Sequence, residues 1–223
     1  MRTGKIGFLF VLAALAFIFS STTAKADLYW ESEIVTTGIP NQPDGTKIVK
    51  HYFTTDASRT DLGDGKIAIT DFNTLDMVHL DMASKTYMRM NLNEMPVPPM
   101  GKTGQMKIQV EPTKETKTIG GYNCTKYDVT MMTMKSEFWV SKDVKGYEEM
   151  KSMGAKMSAA MDKNPMLAQM DISGMINKLD GFPVQITNHI MNGTSVTTLK
   201  TIQQKKLDPE LFKVPTDFTP KKM

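Results

Sequence analysis

The stretch Asp76-Met77-Val78-His79-Leu80-Asp81-Met82-Ala83-Ser84-Lys85-Thr86-Tyr87-Met88-Arg89-Met90-Asn91-Leu92 decides the fold. Val78, Leu80 and Met82 alternate with His79 and Asp81. Past the polar turn at Ala83-Ser84, Thr86, Met88, Met90 and Leu92 alternate with Lys85, Arg89 and Asn91. In an extended chain residues two apart share a face, whereas a helix brings together residues three and four apart. The pattern therefore predicts an antiparallel hairpin with one apolar face on each strand.

The same period extends in both directions. Upstream, Trp30 and Ile34 share a parity in Tyr29–Thr37, and Val49 and Phe53 oppose Lys50, Tyr52 and Thr54. Downstream the apolar sets are Met106/Ile108/Val110, Tyr127/Val129/Met131, Phe138/Val140 and Val184/Ile186/Ile190, with Asn192-Gly193 as a turn into Ser195–Gln203. Two stretches break the rhythm. Asn93–Gln105 carries Pro96, Pro98, Pro99, Gly101 and Gly104 and reads as an irregular connection. In Tyr147–Leu179, Met150, Met153, Met157 and Met161 recur at spacings of three, four and four, which lines one face of a helix. Asn164-Pro165 interrupts that helix, because proline lacks the amide donor, and a second helix follows with Met166, Leu167 and Met170 on one side. A sheet whose strands have one apolar face needs cover on one side, and the helical segment is the cover available. The prediction is an α+β fold: a strongly curved antiparallel half-barrel sheet with Met-rich helices covering its concave face.

The chain has 223 residues, 27 basic and 24 acidic. Residues 1–26 read as a secretory signal peptide. Arg2 and Lys5 are followed by an apolar run of 14 residues, Ile6 to Phe19, and by the small-x-small site Ala24-Lys25-Ala26. A run of 14 is short of the roughly 20 residues that span a bilayer, so the expectation is cleavage near Ala26, no permanent membrane anchor, and a periplasmic or secreted product. The leader holds three basic residues and no acid, so residues 27–223, read as a single domain, balance at 24 against 24. A net charge of zero excludes nucleic acid as the main partner, since such binding rests on cationic charge.

The residues that carry chemistry are sparse. Cys124 is the only cysteine and reads as a small buried strand residue; an internal disulfide is excluded. His51, His79 and His189 fall in separate strands without a partner at metal or triad spacing and read as strand-surface residues. No Gly-rich phosphate loop, nucleophile elbow or His-Glu-x-x-His motif occurs. The expectation is a protein that is not an enzyme and needs no cofactor. The abundant residue is methionine: 20 in the chain, 19 of them beyond the initiator. A flexible thioether can fill an irregular core, line an adaptable apolar groove, or ligate Cu(I) as a soft donor. The last reading draws on two Met-x-Met pairs, Met88-Arg89-Met90 and Met132-Thr133-Met134.

Several segments carry a resemblance. They are Leu80–Tyr87 with Met88-Arg89-Met90, Ile119-Gly120-Gly121-Tyr122-Asn123-Cys124-Thr125-Lys126-Tyr127, Phe138-Trp139-Val140-Ser141-Lys142-Asp143, Gly181-Phe182-Pro183-Val184, and Leu207-Asp208-Pro209-Glu210-Leu211-Phe212-Lys213-Val214-Pro215. With them the chain resembles a family of exported bacterial proteins described as a domain of unknown function, similar to the LolA/LppX-like lipoprotein-carrier fold. The resemblance implies a half-barrel whose apolar concavity is plugged by helices. The resulting expectation is a non-enzymatic binder or carrier of a lipid, acyl chain or other hydrophobic ligand, with an envelope protein as a further candidate partner. The expected ligand-contact residues are Met88, Met90, Met131, Met150, Met153, Met157, Met161, Met166 and Met170. A periplasmic Cu(I)-binding protein and a structural envelope protein without a small ligand are the alternatives.

Overall fold

The architecture was obtained as a computed structural model that describes residues 26–94, 108–131, 134–161, 175 and 178–221. The first half of the chain forms β1 (Leu28–Thr37), β2 (Gly45–Phe53), β3 (Ala57–Asp61), β4 (Lys66–Asp71), β5 (Asp76–Asp81) and β6 (Thr86–Asn91). The second half forms β7 (Ile108–Ile119), β8 (Tyr122–Met131), β9 (Met134–Ser141), helix α1 (Tyr147–Met161), β10 (Phe182–Ile190), β11 (Gly193–Gln204) and the short β12 (Thr219–Pro220). All twelve strands join one large, open, curved sheet in the order β12-β6-β5-β4-β3-β2-β1-β11-β10-β9-β8-β7. Each pair is antiparallel except β12 on β6. The first half steps outward from β1 toward one edge, and the second half steps inward from the other edge until β11 pairs with β1.

Turn chemistry fixes the registers. After β5, Asp81 Oδ1 accepts from the amides of Ala83 and Ser84 at 3.1 and 3.2 Å, a local bond that competes with continuing the strand. Asp81 then pairs with Thr86, Leu80 with Tyr87 and His79 with Met88. Met82 therefore sits in the loop and is exposed. At the β10–β11 hairpin, Ile190 pairs with Gly193, so the turn is Met191-Asn192, one residue earlier than the sequence implies. Gly193 is required for a different reason. A Cβ there would lie 2.4 Å from the backbone of Gly38 and Ile39, where the β1–β2 loop passes.

The registers correct one expectation. Directly paired residues share a face, so two rows can be followed across the first half of the sheet: Phe53–Ser58–Thr70–Met77–Met90, and Trp30–His51–Thr60–Ala68–His79–Met88. Val78 and Leu80 project to the other side, opposite Arg89 and Tyr87, and do not share a face with Met88 and Met90. Both faces of this hairpin are thus partly apolar, and the sheet is covered on both sides. On the side of Leu80, Ile67, Ile69 and Val78 are buried, with Phe212, Val214 and Phe218 of the C-terminal segment packed against them. That segment is anchored by a 3-10 turn at Pro209–Phe212 capped by Asp208, and by Arg59 donating to the Leu211 carbonyl at 3.0 Å. The opposite side carries α1. The second helix of the sequence reading lies outside the described residues, apart from Met175 and Lys178, which are helical.

Candidate functional site

Helix α1 starts just after Gly146, whose φ is +98 and where a Cβ would lie 2.6 Å from the side chain of Leu28. Glu148 and Glu149 in the first turn complement the helix dipole. From there Tyr147, Met150, Met153 and Met157 follow at helical spacing, and Met153 is 2% exposed. Tyr147 packs with Trp139, Phe182, Val184 and Leu199, with Met150 against the same cluster. Two polar contacts hold the helix from outside: Lys156 pairs with Asp56 of the β2–β3 loop, and Gln204 donates to Glu149 at 2.7 Å.

Between helix and sheet lies a pocket of about 200 Å³. The sheet contributes Trp30, Phe53 and Phe138, and the β4–β5 turn Phe72; α1 contributes Tyr147, Met150, Lys151, Met153, Gly154 and Met157; Met175, Leu179, Gly181 and Pro183 complete the described wall. These sheet residues come from opposite halves of the chain and meet because β11 delivers the second half beside β1. The aromatic rings support one another. Phe182 stands edge-on to Trp30 at 5.7 Å, Phe53 lies 4.9 Å from Trp30, and Phe72 lies 6.1 Å from Phe53. Among the described residues Lys151 is the only charged one in the wall, and its ammonium lies 5.9 Å from the Tyr147 ring. The described part of this wall offers dispersion contacts and one cation at the rim.

Of the expected ligand-contact residues, Met150, Met153 and Met157 line this pocket. Met131 packs instead with Ile108, Val129, Val140 and Leu179 beside it. Met88 and Met90 sit near the far edge of the same sheet face, away from the wall. Met166, Met170 and the side chain of Met161 lie outside the described residues. Of the two Met-x-Met pairs, Met88 and Met90 on β6 are separated from Met134 on β9 by seven strands, and Met132 lies outside the described residues. The aromatic half of the wall escaped the sequence reading because Trp30, Phe53, Phe72 and Phe138 come from separate segments.

His51, expected on a strand surface, is instead stacked on Trp30 at 4.7 Å, and burial pulls its pKa down to about 4. His79 does have a soft partner, with Nε2 3.1 Å from Met77 Sδ. His189 faces Glu137 at 3.5 Å on the charged outer side of β9 and β10. Cys124 is buried in β8, and burial raises its thiol pKa. Among the described residues, no group of three or more His, Cys, Asp or Glu is placed to hold a metal, and no helix is long and apolar enough to cross a membrane.

Residues 38–218 match the model of a family described as a domain of unknown function, DUF4412. No curated protein matches the chain. Among solved structures, the chain is similar to PNGF-II at 16% identity and a TM-score of 0.45, covering 88% of this chain and 31% of that one. The chain thus spans about a third of the length of PNGF-II. It is also similar to a LolA superfamily protein from Nitrosomonas europaea at 12% identity and a TM-score of 0.37, covering 85% and 91% of the two chains. A DUF1329 family protein from Desulfovibrio piger matches at 12% identity and a TM-score of 0.36, covering 85% and 90%.

Proposed function

The chain belongs to the DUF4412 family, whose description assigns no activity, and we propose that it binds an apolar ligand, a lipid acyl chain or a molecule of similar shape, between α1 and the sheet. The leader-like residues 1–26 support a role outside the cytoplasm, where an acyl chain needs shielding from water, and in this reading the ligand leaves chemically unchanged. The observation that carries the reading is the pocket wall, mostly aromatic and thioether side chains, with Lys151 at its rim. Binding pockets combine an apolar lining with a few polar groups that orient the ligand. A lysine whose stem lies along apolar surface while its ammonium meets water suits a carboxylate or phosphate headgroup.

Size decides how the pocket would work. At about 200 Å³ it exceeds the roughly 150 Å³ that admits benzene but is smaller than the roughly 300–1,000 Å³ of ordinary ligand sites. A short acyl segment fits directly; a longer one requires α1 to move outward. The helix is built to yield. Its sheet-facing side is methionine, which repacks easily, and its outer tie from Lys156 to Asp56 is an exposed ion pair of the kind worth about 1 kcal/mol or less.

Gly154 supplies the test. A glycine inside a helix costs about 1 kcal/mol relative to alanine, yet here it lines the pocket. Gly154→Leu would fill the space without breaking the helix, and Gly154→Ala would leave most of it open. A fluorescent polyene fatty acid should bind the wild type and Gly154→Ala alike, and Gly154→Leu at least tenfold more weakly. A wild type that takes up no probe, or a Leu variant that binds as well, ends this reading.

A further inference from the structure

The face that carries the pocket also carries a second cluster, at the far end of the two rows traced above. Met77 lies directly opposite Met90, and His79 directly opposite Met88. Three thioethers and one imidazole therefore occupy a two-by-two block on the β5–β6 hairpin. Directly opposed residues have Cβ atoms about 4.5–5.5 Å apart, within converging reach of long flexible side chains. Two of the four donors already touch, His79 Nε2 and Met77 Sδ at 3.1 Å. All four side chains are only partly buried, whereas Met153 under α1 is 2% exposed. A separate opening of about 380 Å³ lies beside the block, lined in part by His79, Met88 and Met90, and gives an ion a way in.

We propose that Met77, His79, Met88 and Met90 form a binding site for a soft monovalent cation, Cu(I), for which Ag(I) is a redox-inert equivalent. The donor chemistry selects the ion. Thioether sulfur is a soft ligand and suits Cu(I), and imidazole suits copper as well. All four donors are neutral, so the block does not balance a divalent charge as thiolates or carboxylates do in zinc and calcium sites. The opening is also lined by Asp81, which is already paired with Lys66, and by Lys221. The site is independent of the apolar pocket, whose wall includes none of the four residues. It also differs from a site joining the two Met-x-Met pairs, since it draws its partners from β5.

The test is a titration of residues 27–223, labelled with 13C at the methionine methyls, with Ag(I). One equivalent should shift the Met77, Met88 and Met90 methyl signals and the His79 ring signals and leave those of Met134 and Met150 in place. In anaerobic competition against a Cu(I) chelator, the double variant Met77→Leu/Met90→Leu should bind at least tenfold more weakly than wild type, with Met134→Leu unchanged. Methionine-to-leucine exchange nearly conserves volume; should the double variant still fail to fold, the wild-type methyl shifts decide alone. No shift with either ion, shifts at Met134 or Met150 instead, or undiminished binding by a folded double variant would overturn the proposal.

Discussion

Over β1, β2 and β8–β11 the sheet carries α1, on the face of Trp30 and Phe138; over β4–β6 it is covered by the C-terminal strap, laid on the opposite face against Ile67, Ile69, Val78 and Leu80. The two covers are made differently. The strap is sewn to the sheet by its backbone: the amides of Thr219 and Lys221 donate to the carbonyls of Lys85 and Tyr87 at 3.0 and 2.8 Å, and Lys85 pairs with Asp217 at 2.8 Å. It plugs its side with Phe212 and Phe218 and satisfies part of an edge strand that would otherwise be open for pairing. The helix has no ladder to the sheet. It is held by methionine packing and a few exposed polar contacts, and a pocket remains beneath it. A backbone-paired cover with aromatic plugs is fastened more firmly than a thioether-faced cover without backbone pairing, which is why the proposed ligand is assigned to the helix side.

The strongest way to break this comparison is to charge the helix interface. Met153 is 2% exposed, and Met153→Lys would put an ammonium into a wall that has no carboxylate among the described residues. Such a group must either pay for desolvation or drag α1 off the sheet, and unpaired buried charges are among the few changes that cost more than about 3 kcal/mol. Amide hydrogen exchange should show protection collapsing in α1 and in β8–β10 while β4–β6 and the strap keep theirs. Equal loss on both sides would mean that the halves unfold as one unit and that the contrast between covers has no energetic basis.

Which parts of this arrangement the sequence reveals follows from the range of the interactions. Alternation at Val49/Phe53, Val78/Leu80 and Tyr127/Val129 reports strands because that period is local, and the spacing of Met150, Met153 and Met157 reports the helix for the same reason. The faces are another matter. Reading each strand alone gives Val78/Leu80 and Met88/Met90 the same rank as apolar sets. Only the pairing around the turn puts Leu80 opposite Tyr87 and His79 opposite Met88, so that one set goes under the strap and the other joins His79 and Met77. The strap itself shows no period, because Phe212, Val214 and Phe218 dock one by one on residues more than a hundred positions earlier. The pocket wall depends on β11 meeting β1, a long-range pairing that no local pattern announces.

A smaller effect probes the centre of the sheet, where the halves join. His51 stacks on Trp30, and burial pulls its pKa to about 4, with Asp61 opposing weakly. The unfolded chain titrates near 6.5. The neutral ring is the one the fold prefers, so its contribution is complete above about pH 6.5. Below that the unfolded state takes up the proton first and stability falls, until at about pH 4 the folded protein is protonated too and the loss is finished. The shift corresponds to about 3 kcal/mol at most, and the attraction of an imidazolium to the indole face offsets about 1 kcal/mol of it. Urea midpoints for wild type should therefore drop between pH 6.5 and 4 more steeply than for His51→Gln, which lacks the titrating group. Parallel profiles would remove His51 as the source.

The smallest effect tests the strap. Phe218 is partly buried against Ile67, Ile69, Val78 and Leu80. Complete burial would make Phe→Ala cost about 3–5 kcal/mol; for a partly exposed ring whose neighbours Thr219 and Lys221 remain tied to β6 by backbone bonds, about 1–2 kcal/mol is expected. What matters is where the loss falls. In the strap the side chain is a plug and the backbone is the fastening, so Phe218→Ala should loosen side-chain packing on β4–β6 yet leave the amides of Thr219 and Lys221 protected. It should also leave fatty-acid probe binding at the helix side unchanged, because the two covers lie on opposite faces. If those two amides exchange freely in Phe218→Ala, the ring and not the pairing holds the strap. The two covers would then rest on the same kind of side-chain packing, and the reason for assigning opening to α1 alone would be lost.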